Sequence, residues 1–221
     1  MKIRYFMLAA LLPLLFACTN KVDPILYRIA QMGFVQKDGS FLGDDGRTYV
    51  FSNVGTDVEW DNVERLMAVF DVTASIDGED KYSANLLDYQ APLYKKPFAG
   101  NSQELIDSLG TAPLKVNDIW FSGGCLNMLN TLTFNNADSK HSVDLLIKAY
   151  PPASDTLKMV LMHNAGGDQV DEYAEEMIGN SYSFYSSFPL KDYLPTEGEL
   201  VLSLEWRWKG ETQTIDSKVK F

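Results

Sequence analysis

Apolar and polar residues alternate along most of this chain. From Arg65 to Ala74, Leu66, Ala68, Phe70 and Val72 face one way, while Asp71 and Thr73 share the other face with Met67 and Val69. From Glu199 to Lys209, Leu200, Leu202, Leu204, Trp206 and Trp208 lie on one face, opposite Ser203, Glu205, Arg207 and Lys209. A period of two makes a half-buried strand. The two tryptophans therefore read as core bulk before they read as an aromatic ligand platform.

Turn chemistry separates the strands. Tyr27 to Val35 ends at Lys37-Asp38-Gly39, and Asp44-Asp45-Gly46 precedes Arg47 to Asn53. Asp77-Gly78 leads into Lys81 to Gln90. Asp-Gly pairs supply the positive backbone dihedral of a tight hairpin, so Asp44-Asp45 reads as turn chemistry. Glu59 to Glu64 is polar enough for a short helical turn. About five short strands in this space predict a small barrel of the OB type over residues 27–98.

Pro92, Pro97 and Gly100 then break the pattern, Ser102 can cap a short helix carrying Leu105, Ile106 and Leu109, and Gly110 can close it. Residues 99–112 read as a linker, with a helix packed into the barrel mouth as the alternative. Seven more strands follow: Val116–Phe121, Cys125–Phe134, Val143–Tyr150, Leu157–Asn164, Ser181–Leu190, Glu199–Lys209 and Thr212–Phe221. With no crossover helices they predict a β-sandwich of immunoglobulin size over 113–221. The expected fold class is all-β, a barrel followed by a sandwich.

The N-terminus reads differently. Lys2 and Arg4 precede an uncharged run from Tyr5 to Phe16. That run is shorter than the roughly 20 apolar residues a membrane span needs and fits a secretory signal. Leu15-Phe16-Ala17-Cys18 matches the bacterial lipoprotein signal, so residues 1–17 are expected to be removed and Cys18 lipidated, with 18–26 as a tether. More than one acyl chain, palmitate among the expected ones, anchors a protein firmly. Thr19 follows the cysteine where Asp would favour inner-membrane retention, so the outer membrane is expected. Asp23, opposed by Lys21, is weak support for surface display.

The formal charge is −11, and loss of Lys2 and Arg4 takes the mature chain to −13. That balance opposes nucleic-acid binding, which depends on Lys and Arg displacing counterions from phosphates. Lipidation of Cys18 leaves Cys125 alone, so no intrachain disulfide can form.

The order of several stretches resembles the NigD-like lipoproteins of anaerobic Gram-negative bacteria. They are Arg65-Leu66-Met67-Ala68-Val69-Phe70-Asp71-Val72, Val143-Asp144-Leu145-Leu146-Ile147, and Leu161-Met162-His163-Asn164 leading to Gly167-Asp168. Ser187-Phe188-Pro189-Leu190 and the Leu202 to Trp208 strand complete them. The resemblance implies a two-domain lipoprotein of undefined molecular function, in a family named from a bacteriocin gene cluster. It brings no catalytic residue and no cofactor.

Several residues carry candidate chemistry. Cys125 with His141 or His163 would be a thiol and its base, but Cys125 opens an apolar stretch and reads first as a small buried hydrophobe. His163 and Asp168 would suit a metal ion, although two ligands fall short of a site. Asp168, Asp171, Glu172, Glu175 and Glu176 form an acidic run without calcium-loop spacing, which Asp77-Gly78-Glu79-Asp80 also lacks. Tyr182, Phe184, Tyr185 and Phe188 would stack sugars or fill a core. No phosphate loop, nucleophile elbow or zinc-protease helix occurs. The expected role is a lipid-anchored, non-catalytic binding or assembly module for a protein or glycan. The alternatives are a bacteriocin-associated immunity-type protein and a glycan hydrolase with a carboxylate pair.

Overall fold

The structure, a computed structural model, describes residues 25–54, 63–76, 80–149, 155–168 and 180–221. Cys18, the stretch 59–62, residues 77–79, Tyr150 and the acids Asp171, Glu172, Glu175 and Glu176 lie outside the described residues.

Five strands close the first barrel: β1 (Tyr27–Val35), β2 (Phe41–Gly43), β3 (Thr48–Phe51), β4 (Arg65–Ser75) and β5 (Lys81–Gln90). Their order around it is β1-β2-β3-β5-β4, with β3 parallel to β5 and the other neighbours antiparallel. The alternation on β4 sends Leu66, Ala68, Phe70 and Val72 inward, where Phe41, Tyr49 and Phe51 meet them. The Phe70 ring lies 4.6 Å from Tyr49 and 5.4 Å from Phe51, in tilted and edge-on contacts that aromatic quadrupoles favour. Gly33 is dictated by this filling, because a Cβ there would lie 2.4 Å from the Phe41 ring.

β6 (Leu93–Tyr94) falls within the stretch assigned to the barrel by its pattern and β7 (Phe98–Ala99) straddles its end, and both pair with the second half of the chain. Helix α1 (Gln103–Leu109) follows. Ser102 Oγ accepts the Leu105 N–H, and Gly110 at φ 75° ends the helix. Seven residues are too few for a helix to stand alone, and α1 is held by Leu109 packing on Leu146 and Met162. Those residues belong to the second half, so the helix does not enter the barrel mouth.

The remaining strands are β8 (Lys115–Ser122), β9 (Cys125–Phe134), β10 (Ser142–Ile147), β11 (Thr156–Asn164), β12 (Asn180–Pro189), β13 (Glu199–Trp208) and β14 (Glu211–Lys220). One sheet runs β14-β13-β11-β10-β7 and the other β6-β12-β9-β8. Their inner faces meet through Leu126, Met128, Leu145, Ile147, Leu157, Met159, Phe188, Leu202 and Leu204. Trp206 packs against this core while remaining partly accessible. The protein is therefore all-β, a barrel followed by a sandwich.

Candidate functional site

The outer face of the four-stranded sheet meets the barrel, and period-two geometry sets what it presents. Antiparallel pairing aligns Trp120 with Asn127 and Asn127 with Ser187. The next row aligns Asp118, Leu129 and Tyr185. Phe184 and Phe188, of opposite parity on β12, turn into the sandwich core instead.

Arg65 enters this face from the barrel. It heads β4 on the parity opposite Leu66, so it points away from the barrel interior. Its Nη1 and Nη2 donate to the two Asp44 carboxylate oxygens at 3.0 and 2.6 Å. Nε donates to Ser187 Oγ at 2.7 Å, and Nη2 also donates to Asn127 Oδ1 at 3.0 Å. Ser187 Oγ in turn donates to Asn127 Oδ1, and Ser122 Oγ donates to Asp44. The Phe34 ring lies 4.4 Å from the guanidinium, within cation–π range. The Arg65 side chain is 0% exposed and that of Asp44 6%. Burying such a pair is costly unless hydrogen bonds satisfy the rest of each group, and here residues of both domains supply them. Gly123 adapts the β8–β9 turn to this contact: its φ is +58°, and a Cβ would sit 2.1 Å from Asp44 Oδ1.

Beside this lock a cleft of about 430 Å³ opens between the domains. Met32 and Met67, paired on β1 and β4, form the barrel wall. Trp120, Leu129 and Tyr185 form the sandwich wall, with the two aromatic rings edge-on at 6.3 Å. Asp44, Asp45 and Asp118 bring carboxylates to it. Arg65 neutralises Asp44. Asp45 accepts the Tyr49 hydroxyl at 2.8 Å and lies 3.7 Å from Arg47. Burial, then the Asp45 carboxylate, pushes the Tyr49 phenol upward, so it stays a protonated donor. Asp118 is exposed, and its carboxylate accepts the Ile119 N–H at 2.9 Å.

A second polar cluster lies at the far end of β9. His163 Nδ1 is 2.8 Å from the Pro113 carbonyl, and His163 Nε2 is 3.0 Å from His141 Nδ1. A carbonyl only accepts, so His163 carries its proton on Nδ1 and accepts at Nε2 from His141 Nδ1–H. The rings stack at 5.2 Å. His141 Nε2 is buried, makes no hydrogen bond of good geometry, and faces Asp168 Oδ2 at 3.4 Å. Burial, reinforced by His141, holds His163 below the usual histidine range, against the Pro113 bond. For Asp168, burial opposes ionisation, but the Asn135 and Asn136 N–H groups and His141 outweigh it and lower the carboxyl. The chain Asp168–His141–His163–Pro113 thus ties the segment leading into β8 to β11. His141 stands between His163 and Asp168, both His163 nitrogens are engaged, and no group of three or more metal-ligating side chains occurs among the described residues.

Cys125 is remote from this cluster. His141 contacts Phe134 at the opposite end of β9, nine positions and about 30 Å from Cys125 at 3.3 Å per residue. The thiol is buried, and burial raises its pKa, so it is not a poised nucleophile.

Comparison with known proteins fits this architecture. The family model for the NigD-like C-terminal beta sandwich domain matches residues 97–219, more than half of the chain. The chain belongs to the NigD-like family. A crystal structure of a protein of unknown function from Bacteroides vulgatus is similar to this NigD-like chain, with a TM-score of 0.70 at 20% identity over 88% of this chain and 92% of that one. A NigD-like immunity protein from Bacteroides caccae gives 0.55 at 20% identity over 88% and 92%. A candidate lipoprotein from Bacteroides fragilis gives 0.59 at 12% over 88% and 98%. At these identities the likeness shows the fold. None of the curated proteins matches. No described helix is long and apolar enough to cross a membrane.

Sequence reading of the NigD-like chain missed Arg65, Asn127 and Trp120. One signal was available for the first: an arginine opening an apolar strand on the outward parity has to find an anion. Its partners lie 21, 62 and 122 positions away, beyond any local pattern.

Proposed function

We propose that this NigD-like chain is a lipid-anchored protein of the cell envelope, held at the outer membrane through Cys18, and that it acts as a non-catalytic binding or assembly module for a protein or glycan. The lipoprotein signal at Leu15–Cys18 supports the location, and a structural relative that is itself a candidate lipoprotein agrees with it. The observation that carries the binding role is the cleft beside the Arg65 lock, a site at a domain joint where ligand pockets concentrate. The lock holds the cleft's two walls in one arrangement, which lowers the ordering cost of binding. The nucleophile candidate, Cys125, is buried and far from both histidines, which supports a role without chemistry.

The test is capture from envelope extracts with the mature chain and with a Trp120→Arg variant, which removes the aromatic wall and places a cation beside the cleft's carboxylates. The proposal expects a set of proteins or glycans enriched by the first and lost with the second. Identical enrichment by both would refute a role for the cleft. Turnover of a glycan panel, abolished by one Asp or Glu change, would refute the non-catalytic reading.

The relative named as a NigD-like immunity protein favours a second reading, in which the module sequesters one cognate toxin. Cells expressing the chain would then survive a toxin from the same gene neighbourhood, and the Trp120→Arg variant would not protect them.

A further inference from the structure

We propose that the cleft between barrel and sandwich receives a lysine or arginine side chain from a basic segment of a partner protein. This inference deepens the binding-module reading and rests on it.

The walls and the poles of the cleft have different chemistry. Met32, Met67 and Leu129 offer apolar surface, Trp120 and Tyr185 offer aromatic surface, and no lysine, arginine or histidine lines it among the described residues. The carboxylates that remain after Arg65 has satisfied Asp44 are Asp45 and Asp118, one on each side of the joint. Asp45 is shared with Tyr49 and Arg47, so Asp118 is the stronger pole. An apolar stem ending in a cation is the complement of this arrangement: Lys and Arg lay their methylenes on apolar surface and keep the charge at a polar rim. Aromatic faces add attraction for the same cation. A phosphate or carboxylate ligand would face the like charges of Asp45 and Asp118. A neutral sugar would leave the methionine wall unused and would gain nothing from the mature chain's −13 charge, which steers cations toward it.

The test is calorimetric titration of the detergent-solubilised chain at 150 mM salt with three probes: hexalysine, hexalysine acetylated at every Nε, and maltohexaose. Hexalysine should bind and the other two should not. Asp118→Asn should weaken hexalysine about tenfold, because it removes a charged partner while its Oδ1 still accepts the Ile119 N–H. Asp216→Asn removes the same charge from exposed β14, and should change affinity less than about twofold, since distant surface charges are screened. Tyr185→Leu, read as a second cleft variant after its melting curve is checked, should also weaken binding. Equal losses in Asp118→Asn and Asp216→Asn would overturn the proposal in favour of general electrostatics. Binding of maltohexaose or the acetylated probe, sensitive to Asp118 or Tyr185, would overturn the cationic occupant and keep the binding reading. No binding of hexalysine would overturn the proposal, while the envelope capture separately decides whether the chain binds anything.

Discussion

Replacing Arg65 with Met would remove a buried cation and keep most of its volume. The Asp44 carboxylate, 6% exposed, would lose both guanidinium bonds and retain Ser122 Oγ. Ser187 Oγ would lose a donor but still bond Asn127 Oδ1. Breaking one side of a buried pair costs about 3–5 kcal/mol, most of it the uncompensated charge left behind. Replacing both sides with apolar residues of similar size is often neutral. Arg65→Met should therefore cost about 3–5 kcal/mol, and Arg65→Met with Asp44→Leu should recover about half of that or more. Urea denaturation followed by tryptophan fluorescence and far-ultraviolet circular dichroism gives these values. Because the lock joins the domains, the wild type should unfold in one transition and Arg65→Met in two. A loss below about 1 kcal/mol, or a double variant no better than the single, would show that the lock is not held by its charges.

Acidification offers a second test. Unfolded His163 accepts a proton near 6.5, and folded His163 resists it because it is buried beside His141. The unfolded state then binds more protons, so stability is full above about pH 6.5 and declines as pH falls below it. Urea midpoints at pH 7.5 and 5.5 should show the decline, and His163→Asn should reduce it; a midpoint that rises on acidification would contradict the assignment. Gly123→Ala should lower stability by about 1–3 kcal/mol through the positive φ and the clash with Asp44, read as a melting shift. Cys125 should resist iodoacetamide in the native protein and react once urea unfolds it, because the thiol is buried; rapid native labelling would refute its inertness.

Strand positions were legible because they follow local chemistry. The inward set Leu66, Ala68, Phe70 and Val72 is written in the period of two, and Ser102 and Gly110 mark both ends of α1. Parity on β12 also separates Tyr185, in the cleft, from Phe184 and Phe188, in the core. What was not legible depends on pairing between distant segments. β6 and β7 are two residues each, too short to show a period, and their places come from β12 and β10. Asp44 read as part of a turn, and it is in one, but its carboxylate faces an arginine 21 positions on. His141 reads from the sequence as a candidate base for Cys125, whereas it mediates between His163 and Asp168, a role fixed by the β10–β11 pairing.

The intact mass of the protein extracted from membranes tests the central proposal most directly, that a lipid on Cys18 places this cleft in the envelope. The spectrum should show residues 18–221 carrying a diacylglyceryl group and a further acyl chain. A mass corresponding to residues 1–221, or to 18–221 without lipid, would contradict it.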